Sequence, residues 1–149
     1  MRTLVVVPCG ARKIWATHPD LGPVPAKDAY TGTPFKVNRE YAESIGDDWV
    51  ILSAKHGFLR PDDLIPGPYE VTFKRKKTGP VSMAVLWQQV GRLGLDRYGR
   101  VIGLGGIEYR QAIKEAFGSA VELEFPFAGL ELGYSLQAAK AAIAAGRRS

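Results

Sequence analysis

Four short segments of this chain concentrate the residue types that do chemistry. The first is Pro8-Cys9-Gly10-Ala11-Arg12-Lys13, directly after the apolar run Leu4–Val7. A glycine there lets the backbone approach a ligand, and two adjacent cations suit a phosphate or a carboxylate. It is not a Walker loop, and Gly103-x-Gly105-Gly106 further on is too short to be a dinucleotide fingerprint. Cys9 at a strand end reads as a packed contact of the ligand-holding turn, not as a nucleophile. The plain alternative is a tight turn with solvated cations.

The second segment is Ser53-Ala54-Lys55-His56-Gly57-Phe58-Leu59 and the following Arg60-Pro61-Asp62-Asp63-Leu64-Ile65. Lys55 or His56 could stabilise developing negative charge, and Asp63 an oxocarbenium-like centre or an attacking water. The competing reading is a polar loop in which Lys55 is solvated and Asp62 or Asp63 caps a turn. The third segment, Lys74-Arg75-Lys76-Lys77, has Tyr69 and Phe73 just upstream. Cations beside aromatics can hold a phosphodiester backbone and stack on a base, although lysine-rich loops are often only solvated surface. The fourth, Phe125-Pro126-Phe127-Ala128-Gly129-Leu130, offers Phe127 as a rigid wall for a flat ligand, or as a core residue. Between Lys114 and Lys140 there is no Lys or Arg, whereas Glu115, Glu122, Glu124 and Glu131 fall there. Positive charge is thus biased to the first two thirds of the chain. No metal site is expected, because one Cys and two His stand at no familiar ligand spacing. No cofactor is expected either.

β-rich runs lead into most of these segments. Thr3–Val7, Trp49–Leu52, Arg100–Leu104 and Val121–Phe125 are apolar on both sides of the alternation, as strands covered on both faces are. Helical patterns separate them. Thr33 reads as an N-cap before Pro34, with Phe35, Ala42 and Ile45 on one face until Gly46. Ser82 opens a second helix with Met83, Leu86, Val90 and Leu93 together. A third spans about Glu108 to Phe117 around Ala112, Ile113 and Ala116, and a last one follows Gly133 with Leu136, Ala139 and Ile143. The alternation predicts a three-layer α/β domain with a central, mostly parallel four-stranded sheet. In such sheets ligands collect beyond the carboxyl ends of the strands, here at Pro8–Lys13, Ser53–Leu59, Gly105–Tyr109 and Pro126–Gly133.

Composition agrees. The 149 residues make one domain, 46% hydrophobic and 23% charged, which excludes a disordered chain. No stretch approaches the roughly 18 apolar residues of a membrane helix, and the opening is too short for a signal peptide. A lone cysteine makes a reducing cytoplasm the default setting. Twenty basic against 15 acidic residues, net +5, permits a polyanionic partner.

The chain also carries Tyr30-Thr31-Gly32-x-x-Phe35, Ile51–Leu59 as ILSAKHGFL, Pro61-Asp62-Asp63-Leu64-Ile65 and Pro68-Tyr69-Glu70. It thereby resembles an uncharacterised bacterial and phage domain family with a P-C-S-x-x-K start, a Y-T-G-x-x-F helix entry and an I-L-S-A-K-H-G-L-L strand exit. Gly10 stands where that family commonly has Ser. A more distant likeness is to the YaaA family of peroxide-stress, DNA-associated proteins, through Tyr30, Thr31, Gly32, Ser53, Gly57, Leu59, Arg60, Pro61, Asp63, Leu64, Pro68 and Tyr69; YaaA-type chains lack His56. Segment order is similar to the uracil-DNA glycosylase superfold, whose water-activating Asp and final-loop His have no match here.

What these resemblances imply is a nucleic-acid or nucleobase-processing enzyme that cleaves or exchanges a base–sugar bond, with DNA ahead of RNA as partner. Arg12 and Lys13 would hold a phosphate, and Phe127 or Tyr69 would stack on an extruded base. Lys55 or His56 would stabilise the departing base. The carboxylate would come from Asp62, Asp63 or Glu70, with Asp63 favoured. Cys9, Gly10, Tyr30, Thr31, Ser53, Glu70 and Gly105 complete the expected ligand contacts, and Lys74, Arg75, Lys76 and Lys77 the backbone contacts. The rivals are a non-catalytic DNA-binding stress module and an enzyme of free nucleosides or nucleotides.

Overall fold

The computed structural model describes residues 2–148, with side chains to Gly146. In chain order the strands and helices are β1 (Thr3–Pro8), β2 (Val24–Pro25), α1 (Ala26–Ala29), α2 (Thr33–Ile45), β3 (Asp48–Ser53) and β4 (Gly57–Leu59). They continue as β5 (Leu64–Ile65), α3 (Met83–Leu93), β6 (Arg100–Gly103), α4 (Ile107–Phe117), β7 (Glu122–Glu124) and α5 (Leu132–Arg148). Among the described residues no helix is long and apolar enough to cross a membrane.

The main sheet has the order β4-β3-β1-β6-β7. β3, β1, β6 and β7 are parallel and β4 is antiparallel to β3. The central strand explains the layers, because successive side chains of a strand point to opposite faces. Val5 and Val7 join the core beneath α2 and α5, and Leu4 and Val6 join the core beneath α3 and α4. Each helix buries the apolar stripe its spacing predicts, including Leu86 and Val90 on α3 and Ala112, Ile113 and Ala116 on α4.

Three expectations need correction. The sheet has five strands, because the stretch after Ser53 turns back at once and Gly57–Leu59 pairs with Ile51–Ser53. A three-residue strand carries too few alternations to be read from sequence. A second, two-stranded ribbon of β2 and β5 was hidden for the same reason. At β7, Glu122 is exposed and Leu123 and Glu124 are half-buried, so this edge strand is not covered on both faces. The caps moved slightly. Gly32, not Thr33, is the N-cap of α2, and α5 begins at Leu132, before Gly133. Ser82 caps α3 as its type predicts, its hydroxyl accepting the Val85 N–H at 3.2 Å.

The order of connections places a switch point beside β1. The chain leaves β1 for β3 on one side and later returns to β6 on the other. Loops after β1 and β6 therefore diverge, and a crevice opens between them at the carboxyl rim. The Cys9 N–H donates to Leu52 O and the Leu104 N–H to Val6 O, both at 3.0 Å, so each loop starts rigidly from the ladder.

Candidate functional site

At that rim lies a crevice of about 690 Å³. Its floor and near wall are Pro8–Arg12 from the loop after β1 and Leu104–Gly106 from the loop after β6. Gly32–Phe35 and Asn38 close one side, Tyr109 and Arg110 of α4 another, and Phe127, Leu130, Leu132 and Ser135 the far end. Lys74 reaches it from the segment between β5 and α3. Among the described residues three cations line the crevice and no carboxylate does. The helices α2 and α4 both begin there with glycine N-caps, Gly32 and Gly106, and no side chain caps either. Free first-turn N–H groups and the positive helix end add to the pull on an anion.

Two glycines shape this rim. Gly105 has φ +111°, a conformation that favours glycine, and a Cβ there would lie 3.1 Å from Pro8 and from Tyr109. At Gly10 the surroundings are open. A Cβ would meet Phe35 and Tyr30 only at 3.7 Å, ordinary contact, and φ is not in the left-handed region. Gly10→Ser should therefore fold with stability within about 0.5 kcal/mol of the parent. A melting curve displaced by several degrees would show that the turn has no room for a serine.

Beside the crevice, the β3–β4 turn covers a buried hydroxyl chain. The Ser53 Oγ accepts the N–H groups of Lys55 and His56 at 3.2 and 3.1 Å. Both of its lone pairs are then engaged, so its proton goes to the Tyr69 Oη at 2.8 Å. Tyr69 in turn donates to the Tyr30 Oη. Around the Tyr69 ring gather Lys13, with Nζ 4.3 Å from the centroid, His56 edge-on at 5.3 Å, and Lys55 Nζ at 5.8 Å. Burial lowers the Lys13 pKa against the opposing charges of Cys9 and Glu70. Burial, then the Lys55 charge, lowers that of His56.

Burial pushes the hydroxyls of Tyr30, Tyr69 and Tyr109 well above the usual tyrosine range, and negative charge at Cys9 adds to each. The folded chain then keeps protons that the unfolded chain loses above about pH 10. With fewer protons bound by the unfolded state, stability falls as pH rises through that range. Lys13 acts in the opposite sense, but Tyr41 and Tyr98 are shifted upward with these three. Alkaline titration followed by phenolate absorbance and circular dichroism should show these three tyrosines ionising only as the fold is lost. Their ionisation near pH 10 in a folded sample would contradict the burial.

The segment from Pro68 to Val81 crosses the rim as a strap. Tyr69 anchors one end, and Phe73 packs edge-on against Tyr109 with centroids 5.2 Å apart. Thr78 ties the tip through Thr72 and Arg75, and the Val81 N–H donates to Ala54 O at 2.7 Å. The exposed tip carries Lys74, Arg75, Lys76 and Lys77, of which Lys74 enters the crevice.

The expected ligand contacts Cys9, Gly10, Arg12, Gly105 and Phe127 thus meet in one crevice. Cys9 Sγ lies 3.3 Å from the Tyr109 Oη. Phe127 fulfils both readings, since it lines the crevice and packs edge-on against Tyr41 at 5.3 Å. Lys13, Lys55 and His56 flank the crevice without lining it. Thr31 does not line it either; its N–H holds Arg12 O at 3.1 Å.

Other residues are elsewhere. Tyr30, Ser53 and Tyr69 are buried, so Tyr69 offers no face to a base. Asp62 pairs with Lys27 at 2.8 Å. Asp63 accepts the Arg60 N–H at 2.8 Å, closing its own turn, and does not line the crevice. Glu70 is exposed near Lys13. Sequence reasoning passed over Arg110, Tyr109, Asn38 and Leu132. The signal for Arg110 was its place one turn inside a helix that opens with Gly105-Gly106, but only the helix rotation decides which way it faces.

Comparison with known proteins adds kinship. Over 144 residues the chain is 40% identical to the uncharacterized protein YfjM of Bacillus subtilis (strain 168), a match that covers 96% of each chain. No solved structure matches it significantly. The profile of a family of unknown function matches residues 4–141, nearly the whole chain. On both counts the chain belongs to that family of unknown function, DUF6884.

Proposed function

We propose that the crevice receives one nucleotide of a nucleic-acid strand, DNA ahead of RNA, and that the chain acts there on the base–sugar bond, by cleavage or exchange. The observation that carries this reading is the composition of the crevice: Arg12, Lys74 and Arg110 on its walls, no carboxylate, and an apolar face of Phe35, Phe127 and Leu104. A ligand matched to those walls has a flat apolar part and a phosphate. The two glycine-capped helix ends favour the same anion. In this reading Arg12 and Arg110 hold the phosphate while Phe127 faces the base. The resemblance of the loop order to the uracil-DNA glycosylase superfold supports the bond acted on.

The test is a panel of single strands and duplexes carrying normal, damaged and hypermodified bases, with free base measured by chromatography. Base release that depends on Arg110 is the expected result. A folded sample that releases no base from any of them refutes the enzymatic part.

One observation favours a second reading, a binding module without catalysis. An oxocarbenium-like centre in the crevice would face no protein carboxylate, since Asp62 and Asp63 are engaged elsewhere. That reading predicts salt-sensitive strand binding with no base release, weakened when Lys74–Lys77 are neutralised.

A further inference from the structure

We infer that a second phosphate subsite lies beside the crevice, formed by Lys13, Lys55 and His56 around the Tyr69 ring, so that the ligand is a polynucleotide strand gripped on both sides of its bound nucleotide. This rests on the crevice reading above and names the ligand class that follows from it.

Two observations carry it. Among the described residues, two buried side-chain nitrogens or oxygens have no hydrogen-bond partner, His56 Nε2 and Arg110 Nε. Folded proteins rarely leave such atoms orphaned, and those that remain call for an explanation such as a catalytic role or a bound water or ion. Both fall on the same rim, one in the crevice and one in the flanking cluster. The second observation is charge. Arg2, Lys27, Arg39 and Arg100 each have a carboxylate partner, yet no described carboxylate forms an ion pair with Lys13, Lys55, Arg12 or Arg110. Glu70 opposes Lys13 only at longer range.

The flank holds its donors in place. The Tyr69 hydroxyl is locked by Ser53 and Tyr30, and the His56 carbonyl accepts from Gln89 Nε2 at 3.0 Å. Burial, then Lys55, shifts the His56 imidazole towards the neutral form, and its Nε2 has no partner in the protein. Lys13 follows Arg12 directly, so crevice and flank are adjacent along one backbone. The strap, anchored at Tyr69 and at Ala54 beside this flank, brings Lys74 into the crevice. A strand entering past Lys55, seating one nucleotide against Arg12 and Arg110, and leaving along the strap would meet cations throughout. Lys55 and His56 then grip the backbone and take no part at the departing base.

Fluorescence anisotropy on the full chain tests this with thymidine monophosphate and with single strands of about three and about twelve nucleotides, across a salt range. Lys55→Gln and Lys13→Gln together should lower the slope of log affinity against log salt for the longest strand by about 0.7 per lost contact. They should leave thymidine monophosphate binding unchanged. Glu70→Gln should tighten the long strand. Lys55 is exposed, so Lys55→Gln alone keeps the test valid if Lys13→Gln disturbs folding. An unchanged slope overturns the subsite, and so does an equal loss for the mononucleotide, which would merge the flank with the crevice. If Arg12→Gln with Arg110→Gln alters the binding of neither ligand, the crevice reading itself fails, a result distinct from both.

Discussion

Gly57→Ala is expected to destabilise the fold by roughly 3 kcal/mol, from two separable causes. Gly57 begins β4 at φ +75°, in the left-handed region, where a side chain adds about 1–2 kcal/mol. A Cβ there would also stand 2.0 Å from Gln89 Oε1. Gln89 is not free to move without loss. Its Oε1 accepts the Phe58 N–H at 2.8 Å and its Nε2 donates to His56 O at 3.0 Å. Displacing it leaves two backbone groups of the β3–β4 turn unpaired, at about 1–3 kcal/mol for each that stays dry. The reduced freedom of the unfolded chain offsets part of this, by about 0.4–1 kcal/mol.

Two comparisons separate the causes. Gly79 has the same φ of +75° and nothing within 4 Å of its Cβ, so Gly79→Ala reports the conformational part alone. In a Gln89→Ala background Gly57→Ala should lose the part due to the Gln89 clash and keep only the conformational part, matching Gly79→Ala. For a chain of this size the full change lowers the melting temperature by about 6–12 °C. Equal shifts for Gly57→Ala and Gly79→Ala would show that Gln89 yields without loss.

Combined Arg12→Gln and Arg110→Gln should weaken anion binding at least about 150-fold while leaving the melting temperature unchanged or higher. Charge-assisted hydrogen bonds contribute about 1.5–3 kcal/mol each, so two lost contacts give that reduction or more. Stability is expected to move the other way because Arg110 Nε is buried without a partner. The side chain is half-buried, and its Nε is an unsatisfied donor whose removal relieves a small desolvation penalty. Calorimetry with thymidine monophosphate and a melting curve on one sample would measure both. Lost stability together with lost binding would make Arg110 a structural residue and remove the main support for the crevice.

The parallel core, the helix stripes and the rim location were legible in the sequence. β1, β3 and β6 read as double-faced apolar runs because both faces of the sheet are covered there, whereas β7 was read the same way and is a partly exposed edge. Gly46 and Ser82 marked helix ends by backbone and capping chemistry that acts within a few residues. Once strands alternate with helices, the loops after Val7, Ser53 and Gly103 must come to the same edge, so Arg12, Gly105 and Phe127 could be grouped before any coordinates.

Which side chains turn into the crevice could not be read that way. Asp63 has the type of a catalytic carboxylate and was used by its own turn, through the Arg60 N–H. Tyr69 has the type of a stacking platform and was taken inward by Ser53 and Tyr30, 16 and 39 residues away. Arg110 was inconspicuous on its helix and became the cation at the back of the crevice. Residue type and local spacing determine what a segment is able to do and at which edge it emerges. The direction of each side chain depends on helix rotation and on partners distant in the chain, interactions that exist only once the layers have packed.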